Sequence, residues 1–159
     1  MEIAESSLGR TRDYRAIFWG GLIAGTCDIT AACLVSYIRR GVSPAWVLQS
    51  VASGLLGQSS FEGGAATAAL GLLLHYVIAY GATTVYFLAS RKLRFLVDHA
   101  FVCGPLYGIA VWVFMNAVVV PLSAAPFKIP YSPVGLTVHM FCVGLPMALV
   151  VRRFSLGRD

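Results

Sequence analysis

Charge is what this chain has least of. Only 12% of its 159 residues are charged, whereas a soluble domain averages about 25%. With 58% hydrophobic residues and a mean hydropathy of +0.76, the composition excludes an ordinary water-soluble domain and points to a chain solvated by lipid. Catalytic signatures are missing too. There is no phosphate loop, no nucleophile elbow and no HExxH, and the serines and threonines have no paired base. The chain is therefore read as not an enzyme. The four cysteines, Cys27, Cys33, Cys103 and Cys142, form no CxxC pair. Zinc and thiol-redox motifs are thereby excluded, and the cysteines are expected to be small buried hydrophobes. A cleavable leader is not expected either. The first apolar run follows a polar segment, is too long for a leader, and ends in Tyr37-Ile38-Arg39-Arg40 without a small-residue cleavage site. A net charge of +5 invites a nucleic-acid reading. Lys and Arg instead cluster at the ends of apolar runs, so no nucleic-acid partner is expected.

Four apolar runs, at residues 16–38, 65–90, 100–120 and 134–151, are each close to the ~20 residues that cross a bilayer at ~1.5 Å rise per residue. The expected fold is an all-α, four-helix membrane protein forming a single domain over residues 1–159. Residues 1–15 read as a polar tail. Between the first two spans, Ser43-Pro44 is an N-cap followed by proline at the first helical position, and Gly57 is a stop. Residues 44–56 are expected to form a short interfacial helix. Val47, Leu48, Val51, Ala52 and Leu55 make its apolar side, Gln49, Ser50 and Ser53 its polar side, and Trp46 its anchor. Residues 121–133 hold four prolines and are expected to be a non-helical loop.

Small residues mark the packed faces. Gly21-Leu-Ile-Ala-Gly25 and Gly104-Pro-Leu-Tyr-Gly108 are small-xxx-small pairs that let a neighbouring backbone approach. Ala68, Gly71, His75, Ala79, Ala82 and Tyr86 share one face of the second span. Gly135, His139, Cys142 and Pro146 share one face of the fourth, and Pro146 is expected to kink it. Gly71-Leu-Leu-Leu-His75 also resembles Gly135-Leu-Thr-Val-His139. That match suggests two hairpins in the same orientation.

Each span carries one polar side chain: Asp28, His75, Asn116 and His139. Asp28 lies 13 residues from Arg15, His75 16 from Arg91, Asn116 18 from Asp98 and His139 13 from Arg152. A spread of five residues is roughly 7.5 Å at helical rise, so the four share a depth. A carboxyl at mid-membrane costs roughly 2.5–3.5 kcal/mol on insertion scales and calls for a partner or water. Two readings are open. In one, Asp28, His75 and His139, with Asn116 nearby, form a polar centre for protons, ions or a solute. In the other they only fix helix packing, Asp28 bonding one histidine while the second histidine bonds a backbone carbonyl. Two further chemistries fit less well. A b-type haem between His75 and His139 would set an acid beside the macrocycle, and a 2-His-1-carboxylate metal site would rest on no spacing within one helix.

Basic residues set the orientation. Arg10, Arg12, Arg15, Arg91, Lys92, Arg94, Arg152, Arg153 and Arg158 fall on one side, and Arg39, Arg40 and Lys128 on the other. Nine against three places both termini in the cytoplasm. Beyond the bilayer, the partners expected are a second copy of the chain or a larger membrane complex.

Several stretches resemble the YagU-type group of small bacterial inner-membrane proteins. They are Leu74-His75-Tyr76-Val77-Ile78-Ala79-Tyr80, the run from Gly104 through Pro126 that ends Val120-Pro121-Leu122-Ser123-Ala124-Ala125-Pro126, and the His139 helix closing in Arg152-Arg153. The resemblance implies a bacterial inner-membrane location. It carries no activity.

Overall fold

In a computed structural model the described residues are 2–127 and 132–155, with residues 2–12 described as backbone only. Among them the fold is all-helical. Helix α1 is Glu2–Arg40, α2 is Pro44–Leu56 and α3 is Gly64–Lys92. Helix α4 is Ala100–Leu122 and α5 is Pro133–Ser155. Four of these, α1, α3, α4 and α5, are long and apolar enough to cross a membrane. Their outer surfaces expose Leu34, Leu73, Val77, Val85, Leu106, Phe114 and Phe141. So much outward apolar surface is far beyond what a soluble monomer shows, and it is the character of a multi-pass membrane protein.

Local chemistry sets the ends of the elements. At Gly41 the backbone turns to φ +66°, and its N–H still reaches the Tyr37 carbonyl at 2.8 Å, closing α1. Ser43 caps α2 by accepting from the Trp46 N–H at 3.2 Å, with Pro44 at the first turn. Gly57, at φ +62°, ends α2.

Both small-residue pairs are at helix contacts, in two different ways. On α4, a Cβ at Gly104 would lie 2.9 Å from the Leu145 Cα, and one at Gly108 would strike the His139 carbonyl. Gly144 completes this seam, because a Cβ there would meet the Gly104 carbonyl. Backbone touches backbone between α4 and α5. On α1, Gly21 and Gly25 seat the rings of Tyr80 and Tyr76 instead. The expected backbone approach is replaced there by two aromatic rings filling the glycine notches. In both hairpins the second glycine of the pair lies against the histidine of the following long helix, Gly25 against His75 and Gly108 against His139.

The two ends of the bundle differ. At one end Asp13 pairs with Arg91 at 3.2 Å, Arg15 lies over the Phe154 ring and Arg152 over Phe101. A core of Ala16, Tyr86, Phe87, Ala100, Ala148 and Val151 fills the space between. Tyr107 ties α4 to α3 there, donating to the Ala82 carbonyl at 2.7 Å. At the other end Arg40 lies over Trp46, whose ring packs against Phe61 and Phe127. The basic residues expected on opposite sides thus gather at opposite ends, with Lys128 and Arg158 outside the described residues.

Four expectations need correction. Residues 2–15 are not an irregular tail but the first turns of α1. The 121–133 segment is not wholly non-helical, because α4 runs through Pro121 to Leu122; Pro130 lies outside the described residues. The cysteines are not uniformly buried, since only Cys103 is, while Cys27 is exposed. Helix α2 does not divide as expected, because residues of both its sides are buried, Val47 and Ala52 of the apolar side together with Gln49 and Ser53 of the polar side. Leu55 is 63% exposed. The polar side chains go inward because partners exist there. The Gln49 amide donates to the Gly64 carbonyl at 3.1 Å, and Ser53 donates to the Ser50 carbonyl at 2.7 Å. Gly71 makes the contact possible, since a Cβ at that position would strike the Leu48 carbonyl.

Candidate functional site

Asp28, His75, Asn116 and His139 all line one cavity of about 300 Å³ within the bundle. Each comes from a different long helix, and none is fully exposed. Trp112 and Met115 add apolar wall from α4. Toward the Asp13 end the cavity is lined by the packed layer of Ala24, Val143 and Met147. Toward the other end it is lined by Ser36, Arg40 and Ser132. It is therefore a mostly apolar chamber with these few polar side chains in its wall.

The bonds inside the chamber differ from those expected. His75 Nε2 lies 2.8 Å from the Gly25 carbonyl of α1. A carbonyl only accepts, so Nε2 carries the proton and Nδ1 is left over. His139 Nδ1 lies 2.9 Å from the Gly135 carbonyl of its own helix, which leaves Nε2. Both histidines thus bond backbone carbonyls, and neither bonds Asp28. Among the described residues the Asp28 carboxyl has no hydrogen bond or ion pair. The expected Asp–His pair is not formed, because each imidazole satisfies its donor on a nearer carbonyl. Asn116 donates to the Trp112 carbonyl at 2.9 Å, and its Oδ1 is buried without a partner among the described residues.

Among the described residues no three His, Cys, Asp or Glu side chains could together hold a metal ion. Asp28, His75 and His139 share the chamber without converging on a point, so the 2-His-1-carboxylate arrangement is not present. The chamber offers a carboxyl, an amide oxygen and one uncommitted nitrogen on each of two imidazoles. That inventory can accept hydrogen bonds from a solute, hold a small cation or relay a proton.

Sequence reasoning missed several contributors. Gly144 carries as much of the α4–α5 contact as Gly108, and Gly144-Leu-Pro-Met-Ala148 is itself a small-xxx-small pair that could have disclosed it. Arg40 and Ser36 line the chamber, joined by a 3.0 Å bond from Arg40 to the Ser36 hydroxyl. Their i, i+4 spacing was the available signal.

No family model matches the chain, and no curated protein or solved structure matches it either.

Proposed function

We propose that the chain is a small proton- or ion-linked transporter or channel-like protein of the bacterial inner membrane, with both termini in the cytoplasm and the Arg40 end facing outward. One observation carries this reading. Four helices each contribute a polar side chain to a single chamber, and two of those side chains, Asp28 and Asn116, keep unpartnered oxygens there among the described residues. Ionisable groups inside a membrane mark proton, ion or substrate paths. Asp28 is assigned the proton or cation, and the imidazoles and Asn116 line its way. The packed layer of Ala24, Val143 and Met147 is assigned as the gate. Transport requires that layer to part.

A second reading has its own support. Both histidines are locked to backbone carbonyls, as expected of residues that only fix helix register in an accessory or assembly subunit. The glycine seams could equally serve contacts with a second copy. The b-haem reading draws no comparable support, because His75 and His139 each commit a ring nitrogen, a different one in each, to a backbone carbonyl. The YagU-type resemblance bears on location alone.

The test is proton flux into liposomes carrying the purified protein and an internal pH-sensitive dye, under a potassium-diffusion potential. Flux in the wild type and its loss in Asp28→Asn support the transporter. Equal rates in wild type, variant and empty liposomes overturn it, and comigration with a stable unrelated partner on native gels then establishes the accessory reading. Orientation is checked by labelling Ser59→Cys, an exposed position between α2 and α3, in a background without native cysteines. Labelling from the cytoplasm alone would reverse the topology.

A further inference from the structure

Helices α1 and α5 pack tightly near Ala16 and Val151 and part toward their other ends. The gap is a groove of about 650 Å³, walled by residues such as Val35 and Val134. Arg39 and Arg40 line its outer end, and Asp28 and His139 its inner end. Among the described residues no acid lines the arginine end. Arg39 has no side-chain partner among the described residues, and Arg40 engages only the neutral Ser36 hydroxyl and the Trp46 ring. Two positive charges therefore head an apolar slot with no counter-ion among the described residues. The slot has a telling length. Arg40 and Asp28 are twelve residues apart, roughly 18 Å along the helix, close to one leaflet of a ~30 Å hydrocarbon core.

We infer that this groove holds one lipid with an anionic phosphate headgroup. The phosphate lies on Arg39 and Arg40, and one acyl chain runs between Val35 and Val134 toward the midplane. Guanidinium groups suit phosphate oxygens in geometry and charge, and basic clusters beside spans recruit anionic lipids. The groove shares Asp28 and His139 with the chamber. The bound chain thus covers the chamber's opening toward the bilayer. This inference rests on the chain spanning a membrane and not on transport through the chamber.

The test is native mass spectrometry of the full-length protein from mixed micelles containing phosphatidylglycerol or phosphatidylcholine. Retention of phosphatidylglycerol should exceed that of phosphatidylcholine by roughly thirtyfold, the scale set by two basic residues near a membrane surface. Arg39→Gln with Arg40→Gln should erase the difference. Val134→Trp, at a wall position already 37% exposed, should lower retention of both lipids. Equal retention by the wild type, an unchanged preference in the glutamine pair, or no effect of the tryptophan would overturn the inference. Displacement of phosphatidylglycerol by millimolar inorganic phosphate would also overturn it, by showing a site for free anions. A silent proton-flux assay leaves these outcomes unaffected.

Discussion

A single methyl group added at Gly108 should push α4 and α5 apart at the level of the chamber. The atoms it would meet are the His139 carbonyl, with its carbon at 2.7 Å, and the Met140 Cα at 2.8 Å. Ordinary carbon contacts begin near ~3.5 Å, so the helices must separate by something under an ångström, and backbone cannot swing aside as a side-chain end can. A gap of 0.5–1 Å already forfeits about a quarter to a half of each dispersion contact along the seam. Overpacking of this kind costs about 1–3 kcal/mol. Gly81 provides the control. It lies mid-helix in α3 with nothing within 4 Å of its added Cβ. Alanine there should stabilise by about 0.5–1 kcal/mol, the helical advantage of alanine over glycine. Gly108→Ala gains that advantage too and still loses overall. The propensity gain is common to both and cancels, so the two variants should differ by the clash alone, roughly 1–3 kcal/mol. The measurement is unfolding by sodium dodecyl sulfate titrated into mild-detergent micelles, followed by circular dichroism. Gly108→Ala within about 0.5 kcal/mol of Gly81→Ala, the scatter of inert surface changes, would refute the backbone-to-backbone seam.

Other outcomes follow from single contacts. Tyr107→Phe removes the bond to the Ala82 carbonyl and should destabilise by about 0.6 kcal/mol, with ~1.7 as the ceiling for such bonds in membranes; the same titration reads it. Arg91→Ala breaks an ion pair whose partners are 43% and 28% exposed. It should change stability by at most about 1 kcal/mol, and less at high salt. Asp28→Asn removes no bond seen among the described residues. It should unfold within about 0.5 kcal/mol of wild type, a size typical of changes that disturb no packing, so lost proton flux in that variant would not reflect lost fold.

The spans were legible because apolar length is a direct physical requirement of the bilayer. Residues 65–90 were expected and Gly64–Lys92 is the helix. That Asp28, His75, Asn116 and His139 line one cavity was legible from residue count, which converts to height along a helix. The bonding among them was not. A sequence shows which side chains reach one level, but it does not show that the Gly25 carbonyl will be nearer to His75 than Asp28 is. Helix α2 was misread in part, because its sides were divided by polarity and residues of both sides are buried. With lipid outside, Gln49 and Ser53 belong inside, where carbonyls await them, and Leu55 belongs outside.

The prolines explain how two of the four polar residues come to lie where they do. A proline within a helix has no N–H and presses its ring on the carbonyl four residues back. Pro121 and Pro146 both sit in this position, and before each the helix widens into a π turn, at Met115–Val119 and His139–Gly144. The two adjustments match. The residue just before each proline bonds five residues back, Val120 to the Met115 carbonyl and Leu145 to the Met140 carbonyl. Each widened turn holds one of the chamber's polar side chains, Asn116 in the first and His139 in the second. The second also holds Gly144, against which Gly104 and Gly108 pack. The π turn that relieves Pro146 is thus the same segment that brings the His139 backbone against α4. Polar residues in regular helices would need partners across the bundle to fix their height and direction. Here the backbone fixes them, through turns that prolines impose, and the Asp28 carboxyl and Asn116 oxygen keep no hydrogen-bond partner among the described residues.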